Sequence, residues 1–240
     1  MDNSVYVSVT RLRSLTNLID ITASNIANMA STGFKKEGAL FSEFVKKADV
    51  EGGSISMADA RVRTTDLSQG ELSLTGGVFD LAIVGDGFFR IMTPSGEALT
   101  RAGAFSRNAD GELVTADGHR VLDEGGAPIF VSPEARSISV APNGTISADG
   151  APVAVIGVVR PTDPTKLERL HGSLFVSDSG TEPAGDFSIH QGYIEKSNVQ
   201  PVLEMANMVK IQRAYELGQS LMDAEDERIR SAVRTLGTQS

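Results

Sequence analysis

The chain has no cysteine among its 240 residues. That excludes disulfide staples, thiolate metal sites and cysteine nucleophiles together. Histidine is scarce as well: His119, His171 and His190 lie far apart and none stands beside a ligand-spaced partner, so zinc has no support. Basic clusters are missing. With a net charge of −9 and a pI near 4.9, no stretch supplies the positive patch that phosphate contacts need, which argues against a nucleic-acid partner. No apolar run approaches the roughly 18 residues of a membrane span. The strongest, Val153 to Val159, is interrupted by Gly157 and reads as a buried strand. The N-terminus also lacks a basic flank followed by an apolar core and a small-residue cleavage site, so export by the general secretory route is not expected.

What is present is unevenly arranged. Of 24 glycines, 18 lie between Gly70 and Gly192. The ends are therefore expected to be helical and the middle not. From Met1 to Ser31 there is neither glycine nor proline, and Val5, Val9, Leu12, Thr16, Ile19, Ala23, Ile26 and Ala30 alternate in steps of four and three. This predicts a helix with a heptad-like seam, ended by Gly33. Met208, Ile211, Tyr215, Gly218, Met222, Glu225, Ile229, Ala232 and Leu236 repeat the same alternation, which predicts a second long helix with Asn198 as N-cap and Pro201 in its first turn. Between them, short alternating runs (Leu72–Leu74, Leu113–Thr115, Ile138–Val140, Leu174–Val176) are separated by Asp-Gly pairs at Asp86, Asp110, Asp117 and Asp149 and by Asn143-Gly144. Such dipeptides suit hairpin turns, so this part is expected to be all-β.

The expected architecture is α+β and discontinuous, with an all-β domain inserted into a coiled-coil domain made by the two chain ends. Its boundaries fall at 1–36 for the N-terminal helix, 37–69 for an extended connector, 70–192 for the β domain and 193–240 for the C-terminal helix. Residues 3 to 34 carry only three charged side chains, Arg11, Arg13 and Asp20, too few for a well-solvated helix. That composition points to a helix surrounded by other polypeptide. Val5, Leu12, Ile19 and Ile26 are expected to pack against Ile211, Tyr215, Met222 and Ile229, with Asn25 and Asn28 fixing the register by hydrogen bonds.

Catalytic and metal motifs fail on spacing. There is no G-x-S-x-G, H-E-x-x-H or P-loop. Gly85-Asp86-Gly87 lacks the third glycine of a dinucleotide fingerprint, and Phe88–Ile91 continues as strand, so a hairpin turn is expected there. Ser106 to Asp117 places Asn108, Asp110, Gly111 and Asp117 at calcium-loop positions, but serine and aspartate stand where an aspartate and a bidentate glutamate are required. No pair of carboxylates stands out for glycoside chemistry. No catalytic, cofactor-binding or metal residue is expected.

Two segments resemble the terminal signatures of the flagellar rod and hook family of axial proteins. The first is Ala23-Ser24-Asn25-Ile26-Ala27-Asn28-Met29-Ala30-Ser31-Thr32-Gly33-Phe34-Lys35. The second runs from Gly192-Tyr193-Ile194-Glu195-Lys196-Ser197-Asn198-Val199 through Glu204-Met205-Ala206-Asn207-Met208-Val209 to Gln212-Arg213-Ala214-Tyr215-Glu216. Phe79–Phe89 and Thr100–Phe105 match the shared β-domain pattern. The resemblance implies a structural rod subunit whose terminal helices pair and whose β domain lies outside them. It also implies copies of itself and other proximal or distal rod subunits as partners, and passage out of the cytoplasm through the flagellum's own type III exporter into a rod that crosses the periplasm. A distal-rod or hook subunit, a peptidoglycan-active enzyme and a secreted adhesin are the alternatives.

Overall fold

The computed structural model describes the backbone of residues 2–47 and 54–237 and the side chains of residues 8–39, 63–231 and 234. The side chains of Val5, Ala232 and Leu236, and the pair Gly52-Gly53, lie outside the described residues. Two compact units emerge, each built from separated pieces of chain. One takes residues 1–27, 37–66 and 200–240, and the other takes 28–36 and 67–199.

The first unit holds helix α1 (Asp2–Ala27), an antiparallel hairpin of β1 (Glu37–Lys47) and β2 (Ser54–Thr65), and helix α2 (Pro201–Gly237). α1 is continuous because nothing in it breaks a helix, and it buries two of its hydroxyls, those of Ser14 and Thr22. Ser14 Oγ donates to the Thr10 carbonyl (3.1 Å) and Thr22 Oγ1 to that of Leu18 (2.7 Å), so each buried hydroxyl is bonded within the helix. The two helices run antiparallel, with Leu12 beside Gly218 and Asn25 beside Glu204. A β-carbon on Gly218 would come within 2.8 Å of the Leu12 side chain. The glycine therefore trades the roughly 1 kcal/mol it costs in a helix interior for close approach of the neighbouring helix.

The coiled-coil expectation is corrected by these facts. A coiled-coil seam would bury both alternating positions of α1, yet Val9 is 48% exposed and Thr16, Ala23 and Ala30 are exposed as well. Full burial falls on Ser14, Ile21, Thr22 and Asn25 instead. The physical reason is that α1 has two neighbours: the hairpin lies against it in addition to α2, so its covered arc is wide rather than a narrow seam. The protein is mostly strand with one helix at each end, and the described residues form no coiled-coil domain. Within the stretch read as an extended connector, Glu37–Lys47 and Ser54–Thr65 are in fact paired strands.

The second unit is β apart from one short 3-10 turn, Pro164–Lys166. Its largest sheet has nine strands, with the strand at Phe88–Thr93 bonded on its edges to Gly96–Thr100, Arg120–Val121 and Val158–Pro161. Strand alternation sends Phe89 and Ile91 to one face and Phe88 to the other. On the first face Phe89 meets Phe105 edge to face at 5.1 Å, among Leu81, Ile83, Leu113, Val121 and Ile129. On the second, Phe88 meets Phe175 at 5.7 Å, with Leu99 and Val159. Separately, Leu81–Gly85 pairs with Phe187–Gln191, and Leu72–Leu74 with Tyr193–Glu195.

Local expectations fared unevenly. Asp110-Gly111, Asp117-Gly118, Asn143-Gly144 and Asp149-Gly150 all sit between antiparallel strands, each with its glycine at positive φ. Asp86-Gly87 does not close a hairpin, because the strands on either side of it pair with different partners. Val153–Val159 is not one buried strand. It breaks at Ile156-Gly157 into two strands of different sheets, and Val153 and Val155 are exposed.

Candidate functional site

Both chain-end signatures converge on buried polar contacts, one set in each unit. In the first unit Asn25 is 1% exposed and makes a reciprocal pair with the backbone of Glu37. Its Nδ2 donates to the Glu37 carbonyl and its Oδ1 accepts from the Glu37 N–H, both at 2.8 Å. The same Nδ2 reaches Glu204 Oε2 at 3.3 Å. One amide thereby joins the end of α1, the start of the hairpin and the first turn of α2. A carboxylate in that first turn also suits the positive end of the helix dipole.

In the second unit Glu195 is fully buried and gathers three donors. Lys35 Nζ lies 2.6 Å from its Oε1, Arg101 Nη1 lies 3.3 Å from its Oε2, and the Gly70 N–H donates to Oε1 at 2.9 Å. Two cations face one anion, and backbone carbonyls take further donors of each, while the buried Arg101 Nε has no hydrogen-bond partner. Lys35 also donates to Ser68 (2.7 Å), and Arg101 to Ile83 (3.3 Å) and Gly85 (2.6 Å). Burial pulls the Arg101 guanidinium below the ordinary arginine range, while Glu195 and then Asp86 act in the opposite direction.

The rest of the N-terminal signature is fitted around this cluster. Gly33 holds φ +66°, its N–H donates to the Glu195 carbonyl at 2.7 Å, and a β-carbon there would fall 2.2 Å from the Ala102 backbone nitrogen. Only glycine meets both conditions. Phe34 is buried under the Arg169 guanidinium, whose centre lies 4.4 Å from the ring and 4.5 Å from that of Phe175, and Arg169 also donates to the Lys35 carbonyl. Asn198 Oδ1 accepts from the Lys36 N–H at 2.6 Å while its Nδ2 donates to Ser68. Asn198 is therefore a clamp and not the N-cap of α2, which starts at Pro201. Ser197 Oγ accepts from the N–H of Val199, itself buried. Asn28 accepts from Ser31 in the turn that follows α1, and that turn, rather than Gly33, ends the helix.

Other expected residues stay outside these clusters. Leu12, Ile19, Ile26, Met208, Ile211, Tyr215, Met222 and Ile229 are half-buried, as is Ala214. Ala27, Met205, Asn207, Gln212 and Arg213 are exposed. Sequence reading missed Glu37, Arg101, Arg169 and Glu195 as site residues. An isolated Glu195 or Arg101 in a strand-forming stretch gives no periodic signal, although each lies inside a segment that resembles the family. Asn108 orders its own turn by accepting from the N–H groups of Asp110 and Glu112, and no metal-binding cluster occurs among the described residues.

α2 adds a further feature. At 100° per residue, Glu204, Met208, Ile211, Tyr215, Gly218, Met222 and Ile229 share the face toward α1. On the opposite side Val202, Met205, Val209, Leu217 and Leu221 are 79, 50, 47, 67 and 67% exposed. The helix is apolar on two faces and covered on one.

Comparison with known proteins decides the family. The description "Flagellar hook protein FlgE/F/G D1 domain" matches residues 82–148, and "Flagellar basal body rod FlgEFG protein C-terminal" matches residues 190–235. A flagellar basal-body rod protein FlgF of Caulobacter vibrioides is 41% identical, with 99% of each chain covered. The chain belongs to the flagellar basal-body rod protein family. FlgF of Mesorhizobium japonicum is 36% identical over the whole of both chains, and the rod protein FlgG of Bacillus subtilis is 29% identical over 97% of this chain and 98% of its own. The matched C-terminal rod region takes in Glu195, Asn198 and Glu204, three of the buried polar residues described above, together with both apolar faces of α2. No helix among the described residues is long and apolar enough to cross a membrane.

Proposed function

We propose that this chain is a structural subunit of the proximal part of the bacterial flagellar rod, assembled through its terminal helices and transmitting torque for swimming. The observation that carries this reading is the second apolar face of α2. A monomer that keeps Val202, Leu217 and Leu221 in water forgoes roughly 1.5 to 3 kcal/mol for each side chain a neighbour could cover. Its partners are copies of itself and other rod subunits, and its role is mechanical rather than catalytic. The chain reaches the rod, across the periplasm, through the flagellar type III exporter. Identity to FlgF relatives over nearly the full length supports the proximal position, and the FlgG relatives make the distal rod the alternative.

The test is a deletion strain complemented with a tagged chain. Loss of swimming, restored by the tagged copy, together with tag density at the base of the rod in purified basal bodies, is the expected result. Normal swimming in the deletion strain would remove the reading, and density at the far end of the rod would favour the distal alternative.

A further inference from the structure

A cavity of about 390 Å³ in the second unit is walled by Leu67, Phe88 and Pro161 and carries two pairs of opposite charges. Its volume falls in the range of small-molecule sites. One pair is closed, because Arg160 Nε lies 2.6 Å from Glu182 Oε1. The other pair, Arg101 and Asp86, is open. Arg101 is 4% exposed, with Nη1 on Ile83 and Glu195 and Nη2 on Gly85, yet its buried Nε has no hydrogen-bond partner. A buried donor without an acceptor is costly and rare. The Phe88 ring, 5.4 Å from the guanidinium carbon, favours the charge but offers no lone pair to the N–H. Behind this wall Lys35, Arg101 and Glu195 together hold one positive charge in excess. Asp86 is the complement. It is exposed, acts on Arg101 through space, and has no hydrogen bond or ion pair among the described residues.

We propose that this cavity binds the head of a small α-amino acid, its carboxylate on Arg101 and its ammonium on Asp86, with a short apolar side chain against Leu67 and Pro161. Both charges of a zwitterion lose water on binding, and each then needs a partner of opposite sign. An open donor and an open acceptor in one cavity supply them. A bare anion would bring a like charge toward Asp86, and a bare cation would leave the Arg101 N–H unserved. The same head is carried by free amino acids and by the uncross-linked diamino acid of a peptidoglycan stem peptide. The inference goes beyond the rod assignment and does not depend on it.

Calorimetric titration of the purified full-length chain tests it, with alanine of either hand, acetate, methylammonium and a solubilised uncross-linked muropeptide as probes. The expected result is saturable binding of alanine or of the muropeptide with Kd below about 1 mM, at least tenfold tighter than acetate or methylammonium. Tighter binding of alanine assigns the free amino acid and tighter binding of the muropeptide assigns the cell wall, and either supports the site. No saturable binding of alanine or muropeptide would overturn the proposal. So would acetate binding as tightly as the better of the two.

Two further readings place the ligand. Asp86→Asn removes an exposed charge that makes no hydrogen bond, so the variant should fold, lose at least tenfold in affinity for the better zwitterion and bind acetate no more weakly. In the parent chain, one arginine Nε–H resonance should move on saturation with that zwitterion and stay still with methylammonium. Unchanged affinity in Asp86→Asn, or arginine resonances that all stay still, would overturn the proposal.

Discussion

Different physics holds each of the two units together. Among the described residues the second unit contains all the buried hydrophobic side chains except one, Ile21, and its sheet faces meet through Phe89, Phe105, Phe88 and Phe175. The first unit buries Ser14, Thr22, Asn25, Glu37 and Glu204 around that single isoleucine. Removal of apolar surface from water is the main driving force of folding. Among the described residues that force is concentrated in the β unit, whereas the apolar side chains of the helical unit, Ile21 apart, are half-buried or exposed.

Substitutions can break or sharpen that contrast. The largest effect is expected at Glu195→Ala, which strands Lys35 and Arg101 in the interior and should destabilise the second unit by about 3–5 kcal/mol in denaturant unfolding. A loss below about 1 kcal/mol would mean that water reaches the cluster. Next comes Asn25→Ala, which orphans the buried N–H and carbonyl of Glu37 and should cost about 1–3 kcal/mol. That loss should appear in the helical signal by circular dichroism and leave the β unit's transition unmoved; coincident loss of both would show the units to be one cooperative block. The smallest effect belongs to Leu217→Ala, within about 0.5 kcal/mol of the parent in the isolated chain because the side chain already faces water. Its cost should surface only as reduced recovery of the chain in basal bodies, and a large loss of stability in the free chain would place that residue in an intramolecular contact instead.

Much of the backbone was legible, because turn chemistry is local. Asn143-Gly144 and Asp149-Gly150 announce positive φ whatever surrounds them, and the glycine- and proline-free N-terminus announces α1. Pairing was harder to read. The alternation of Val9, Thr16 and Ala23 has the heptad period, yet a long hairpin beside α1 widened the covered arc, and nothing in residues 37–69 marks them as paired rather than merely extended. The buried clusters were the least visible. Lys35 and Glu195 are each unremarkable in sequence, and they become a pair only when Tyr193–Glu195 is laid beside Leu72–Leu74. Asn198 was misassigned because an asparagine before a proline-started helix has the composition of a cap, while its amide is occupied by Lys36 and Ser68 instead.

The span of these clusters along the chain has a temporal meaning. Lys35 finds Glu195 across 160 positions and Asn25 finds Glu204 across 179. Neither knot can be tied until most of the polypeptide is available, and contacts this remote form slowly. A half-made chain therefore has its opening segment in hand and nothing to fasten it to. Completion itself is the signal to close.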